Sequence, residues 1–235
     1  MIFRQFFEPD TSTYTYLVGC ERSRDALLID PVLGEVETYS VVLRQLSLRL
    51  VYSLETHLHA DHITGSGLLR ERFGSRSVVH RDAGAACADL FVDDRDALRV
   101  GDIPFEVRHT PGHTTGCVSY VFADRVFTGD ALLIGGCGRT DFQQGDPGLL
   151  YDSINAQLFS LPPDTLVYPG HDYKGDTVST VRQETAKNAR LGAGRTRESF
   201  IDLMRELRLA YPRHIDRALP ANQQCGQGIA TIARV

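Results

Sequence analysis

Residues 57–62 read His57-Leu58-His59-Ala60-Asp61-His62, so four side chains able to bind a metal fall within six residues. The run follows a strand-like stretch, Leu50 to Leu54. Three further candidates recur downstream in one repeated setting. Glu106 to Thr110 leads into Pro111-Gly112-His113, Val126-Phe127 into Thr128-Gly129-Asp130, and Leu166-Val167-Tyr168 into Pro169-Gly170-His171. Each time a β-rich run ends, a glycine follows, and a His or Asp comes next. Glycine permits sharp turns and close backbone approach, so the next side chain can be aimed off a strand end. If these strands lie side by side, their loops converge at one edge of the sheets, where the side chains could share a metal. Imidazole and carboxylate suit zinc, iron or manganese, whereas structural zinc sites favour thiolate.

Five of the eight histidines belong to this pattern. His80, His109 and His214 read as ordinary satisfied histidines. The five cysteines, Cys20, Cys87, Cys117, Cys137 and Cys225, are odd in number and form no Cys-x-x-Cys pair. That argues against a disulfide framework and a thiolate zinc site, and for a reducing, cytoplasmic compartment. Cys20, Cys87 and Cys117 read as small buried hydrophobes, and packing is also favoured for Cys137 and Cys225. The N-terminus, Met1-Ile2-Phe3-Arg4, lacks the features of a secretory signal or transit peptide.

The 235 residues are 42% hydrophobic and 23% charged, which excludes a disordered chain. A net charge of −5 gives no reason to expect nucleic-acid binding. No apolar stretch is long enough to cross a bilayer, so no membrane partner is expected. Strand-like runs at 13–18, 26–30, 50–54, 78–79, 105–107, 118–122, 126–127 and 165–168 mix with helical spacing at 36–46, 67–73, 149–161, 178–191 and 200–207. Without strict alternation, this favours a layered α/β sandwich over a doubly wound sheet. The length suits one domain over residues 1–235.

The ligand pattern resembles that of the metallo-β-lactamase superfamily, His-x-His-x-Asp-His followed by a His, an Asp and a last His. The resemblance implies an αββα four-layer sandwich with metal at one edge. In a dinuclear member, His57, His59 and His113 would hold one ion and Asp61, His62 and His171 the other, with Asp130 bridging. The flanking segments Asp61-His62-Ile63-Thr64-Gly65-Ser66-Gly67, Thr128 to Gly145, Tyr168-Pro169-Gly170-His171-Asp172-Tyr173 and Pro220-Ala221-Asn222-Gln223-Gln224-Cys225-Gly226 are similar to the persulfide dioxygenases of the ethylmalonic encephalopathy protein type. That resemblance implies one Fe(II) per chain, held by His57, His113 and Asp130, with His59, Asp61, His62 and His171 orienting the ligands. It implies oxidation of glutathione persulfide by O2 and water to sulfite and glutathione, and leaves a homodimer open.

Glutathione carries two carboxylates. Arg139, in the Gly-rich loop, and Tyr173, two residues past His171, are the expected substrate contacts, with Arg213 and His214 weaker candidates. The alternative is a hydroxyacylglutathione hydrolase of the glyoxalase II type, with a dinuclear site. That family usually has a larger helical C-terminal region, and only 64 residues follow His171 here. A non-catalytic metal-binding module is disfavoured because no ligand position is lost, and no room remains for a fused sulfurtransferase domain.

Overall fold

Apolar side chains alternate along the central strands. In residues 13–19, Tyr14, Tyr16 and Val18 pack on one side and Leu17 on the other. In residues 25–29, Leu27 and Ile29 face opposite to Ala26 and Leu28. This period of two, apolar on both faces, demands a sheet covered on each side. The computed structural model describes residues 1–227 and shows two such sheets.

The first sheet is ordered β1 (Ile2–Glu8), β2 (Thr13–Gly19), β3 (Asp25–Ile29), β4 (Arg49–Leu54), β5 (Arg76–His80) and β6 (Leu90–Val92). β1 to β3 pair antiparallel, and β3 to β6 run parallel. The second, in spatial sequence, runs β12 (Ser179–Thr180), β11 (Leu166–Pro169), β10 (Arg125–Gly129), β9 (Val118–Val121), β8 (Ile103–His109) and β7 (Ala97–Val100). Its one parallel pair is β10 with β11.

Between the sheets lies a core of Tyr16, Leu27, Leu54, Val107, Tyr120 and Phe127 with their neighbours. Helices α1 (Val36–Gln45) and α2 (Ser66–Phe73) cover the outer face of the first sheet through Val36, Tyr39, Leu43 and Leu69. α3 (Pro147–Ser153), α4 (Val181–Lys187) and α5 (Arg197–Glu206) cover the second through Leu150, Val181, Phe200 and Met204. The layers are therefore helix, sheet, sheet, helix, as expected. A last helix, α6 (Ile215–Asn222), was not legible because Pro220 sits inside it.

Two helix boundaries differ from the sequence reading. The helix expected over 149–161 starts at Pro147, because the Asp146 side chain accepts the Leu149 N–H at 2.7 Å, and it passes into a π-helical turn over Ile154–Leu158. The helix expected from 178 starts at Val181, since Ser179–Thr180 pair with β11 and Thr180 caps the helix by accepting the Gln183 N–H. The cysteine reading also needs correction. Cys87 and Cys225 form a disulfide, 138 residues apart with Cα atoms 5.9 Å from one another. Local spacing could not reveal this, because only the folded chain lays the segment after α6 beside α2, where the Gly67 N–H donates to the Cys225 carbonyl at 2.9 Å. With that pair formed, the cysteines no longer argue for a reducing compartment. Cys20, Cys117 and Cys137 are free and buried. Among the described residues, no helix is long and apolar enough to cross a membrane.

Phe127 is fully buried, with the Tyr16 ring 4.8 Å away across the sheets and the Tyr168 ring 5.5 Å away on the neighbouring strand of its own sheet. Phe127→Ala is expected to lower stability by about 3–5 kcal/mol, read from urea unfolding midpoints.

Candidate metal centre

The C-terminal ends of β3, β4, β10 and β11 meet at one edge of the sandwich. Hydrogen bonds between the sheets fasten them there. The Tyr14 N–H donates to the Gly170 carbonyl, the Tyr16 hydroxyl to Pro169 O, the Val118 N–H to Thr56 O and the Tyr120 hydroxyl to Glu55 O, all within 2.5–2.8 Å. Gly129, at φ 51°, closes β10 against β4. A Cβ there would lie 2.3 Å from the Thr56 hydroxyl oxygen, so only glycine lets Asp130 follow at that point.

Donor atoms of His57, His113 and Asp130 all lie within 4.8 Å of one another. The His113 Nε2 is 3.7 Å from Asp130 Oδ2. Both histidines are oriented from behind. The buried Asp30 carboxylate accepts from the Thr56 N–H and hydroxyl, each at 2.7 Å, which leaves the Thr56 oxygen to accept from His57 Nδ1 at 3.0 Å. His113 Nδ1 donates to the Arg139 carbonyl at 2.6 Å. Each ring is thereby left with Nε2 free for an ion. Burial, reinforced by the neighbouring His59 and His113, holds the His57 pKa well below its ordinary value, so this ring is neutral. Asp130 Oδ1 is buried and has no hydrogen-bond partner. A buried carboxylate oxygen left unpaired is costly, and an ion would satisfy it. Two imidazole nitrogens and one carboxylate therefore fit a divalent metal.

His59 faces a different set. Its Nε2 lies 3.0 Å from Asp30 Oδ1 and 3.5 Å from Glu55 Oε2, and its Nδ1 3.9 Å from Asp61 Oδ1. Burial opposes charge on this ring, but Asp30, with Glu55 and Asp61, raises its pKa well above the usual value. His62 Nδ1 bonds Asp61 Oδ2 at 2.8 Å, and His171 Nε2 stands 3.6 Å from both Asp61 Oδ2 and Asp130 Oδ1. His59, Asp61 and His62 form a second group of donors within 4.8 Å. All seven motif residues thus converge.

The expected substrate contacts fare differently. Tyr173 stacks beside the His171 ring and is 73% exposed, open to a bound molecule. The Arg139 guanidinium is occupied, with Asp141 held bidentately at 2.6 and 2.7 Å and the Ala210 carbonyl at 2.7 Å. A substrate carboxylate would have to displace these partners. Arg139 instead serves the centre through its carbonyl. His214 lines an open cleft beside Asp61 and His62, where the cation is Arg217 rather than Arg213. His80 and His109 stack at 4.0 Å with Asp82 nearby, away from these groups, and bond to the Asp82 N–H and the Thr115 carbonyl.

Sequence reasoning missed the supports. Asp30 ends a buried apolar strand just before Pro31, and a carboxylate in such a place was the one signal available. Glu55 accepts from the Thr64 and Ser66 hydroxyls, each at 2.5 Å. The Asn222 amide donates to the His59 and His62 carbonyls at 2.8 Å and accepts the Thr64 N–H at 2.9 Å, so it holds the backbone of the metal loop. Asp30→Asn should preserve the fold but weaken metal retention by about 10–100-fold, measured by competition with a chelator.

The Metallo-beta-lactamase superfamily signature matches residues 9–171. The chain is 51% identical over 229 residues to "Persulfide dioxygenase ETHE1, mitochondrial" of Homo sapiens, covering 96% of this chain and 89% of that protein. The crystal structure of ETHE1 from Myxococcus xanthus superimposes with a TM-score of 0.94 at 53% identity, covering 96% of this chain and all of that one. A probable hydroxyacylglutathione hydrolase of Schizosaccharomyces pombe is 34% identical over 173 residues, covering 70% of this chain and 66% of that protein. The matched signature, the sandwich and the seven converging ligand residues agree: the chain belongs to the metallo-beta-lactamase superfamily.

Proposed function

We propose that the protein is a persulfide dioxygenase that converts glutathione persulfide, O2 and water to sulfite and glutathione. The observation that carries this reading is the two-histidine, one-carboxylate set of His57, His113 and Asp130, in a chain about half identical to proteins named for that activity. These three would hold one iron(II), which supplies the redox chemistry and open positions for sulfur and O2.

The chain's own residues do the rest. Thr56, backed by Asp30, and the Arg139 carbonyl fix the two imidazole rings, so the donors need little reorganisation. His59 stays ion-paired with Asp30 and Glu55, outside the set. Asp61, His62 and His171 wall the neighbouring space with polar groups. Tyr173 offers a hydroxyl beside His171, and the open cleft at His62 holds Arg217 and His214 together with Glu8, Asp10 and Asp61. Arg139 could reach a carboxylate only by exchanging it for Asp141.

The second group, His59, Asp61 and His62, favours one competing reading, a dinuclear hydrolase of the glyoxalase II type. Metal content separates the two. Protein purified without air should hold one iron per chain and consume O2 with glutathione persulfide. Two zinc ions and hydrolysis of lactoylglutathione, without O2 uptake, would sink the proposal. Asp130→Ala should lose the metal, whereas His59→Ala should keep part of it, as read by elemental analysis.

A further inference from the structure

The disulfide has a position that its packing role alone does not explain. Cys225 is 3% exposed, and Cys87 is more accessible, in the loop before β6. Cys225 also sits at φ 55°, a left-handed conformation disfavoured for any residue with a Cβ. Three residues earlier, Asn222 holds the carbonyls of His59 and His62 and the Thr64 N–H. The Cys225 carbonyl accepts the Gly67 N–H. Cys225 and His57 line the same small buried cavity. The bridge therefore pins a short turn that also bonds the backbone of the His57–His62 loop region through Asn222 and the first turn of α2 through the Cys225 carbonyl.

We propose that Cys87–Cys225 is a thiol–disulfide exchange site for a low-molecular-weight thiol, and that its redox state sets how firmly the Asn222 turn holds the metal loop. The thiolate attacks the Cys87 sulfur, the more exposed of the two, and the S–S bond breaks. Cys225 leaves as a thiolate 3.8 Å from the Ser77 hydroxyl, which donates to Asp89 Oδ2 at 3.2 Å in the bridged state and would turn to the thiolate. Arg70 fixes that hydroxyl at 2.5 Å and the Cys87 carbonyl at 2.8 Å, so the receiving groups are in place. A second thiol then cleaves the mixed disulfide. Two thiols become one small disulfide, and their two protons end on Cys87 and Cys225. The small disulfide drives the reverse reaction. Once the bridge opens, the strained turn is free to relax, and the Thr64 and Gly67 amides lose their acceptors.

The test uses whole protein equilibrated with reduced or oxidised glutathione, with dithiothreitol as a second reductant, and its readouts do not depend on any enzymatic activity. Reduced glutathione should expose two additional alkylatable thiols per chain by mass. Hydrogen exchange across residues 59–67 should rise about tenfold, and a chelator should strip metal several times faster. Cys87→Ser should exchange rapidly in both buffers, and Asn222→Ala should do so with the bridge intact. The proposal is overturned if oxidised protein lacks the bridge, if only dithiothreitol opens it, or if residues 59–67 exchange equally fast in both states.

Discussion

A buried carboxylate cannot stay uncompensated, and the metal edge of this protein is organised by one. Asp30 closes β3 at a left-handed φ of 51° and is 1% exposed. Its oxygens take the Thr56 N–H and hydroxyl and face the His59 ring. These contacts tie the first sheet's parallel strands β3 and β4 together at their ends. They also fix the hydroxyl that orients His57. Without Asp30 the Thr56 hydroxyl could serve as donor to His57 instead of acceptor, and the ring's free nitrogen would no longer be defined. The orientation of one ligand thus rests on a charge that touches neither the ion position nor the solvent.

The same logic extends outward. His59 sits among Asp30, Glu55 and Asp61, so a single imidazole faces three carboxylates. Such networks are strong only when complete, because each lost partner leaves another group stranded in a low-dielectric interior. Asp130 Oδ1 and His62 Nε2 remain unpaired at this edge, and an ion would satisfy them; other unpaired buried atoms, such as Ser75 Oγ and Arg195 Nε, lie elsewhere.

Much of this was legible in the sequence because the signals are local. A glycine before a ligand, or four ligands in six residues, needs no knowledge of tertiary contacts. The layered sandwich was legible from strand-like and helical runs mixed without strict alternation, and its four-layer order from the family resemblance. Most of what could not be read depends on distant partners. Arg139 carries a guanidinium in a suitable loop, but Asp141, only two residues on, and the distant Ala210 carbonyl already occupy it. Asn222 lay in a recognised segment, yet its grip on the His59 and His62 carbonyls requires α6 to fold back across 160 residues. The Cys87–Cys225 bridge is hidden by the same kind of separation, and Pro220 disguised the helix that leads to it.

The Asn222 contact bears on how the protein matures during synthesis. The chain is made from its N-terminus, and the His57–His62 loop emerges long before residue 222. Until α6 arrives, the loop's carbonyls at His59 and His62 lack their amide donors, and His171 has not joined the edge until β11 is complete. The six strands of the first sheet, all complete by Val92, can pair early, but the edge that gathers the motif residues is finished last. A nascent chain therefore presents these histidines before the neighbours that orient them exist, and their final arrangement is a property of the completed fold.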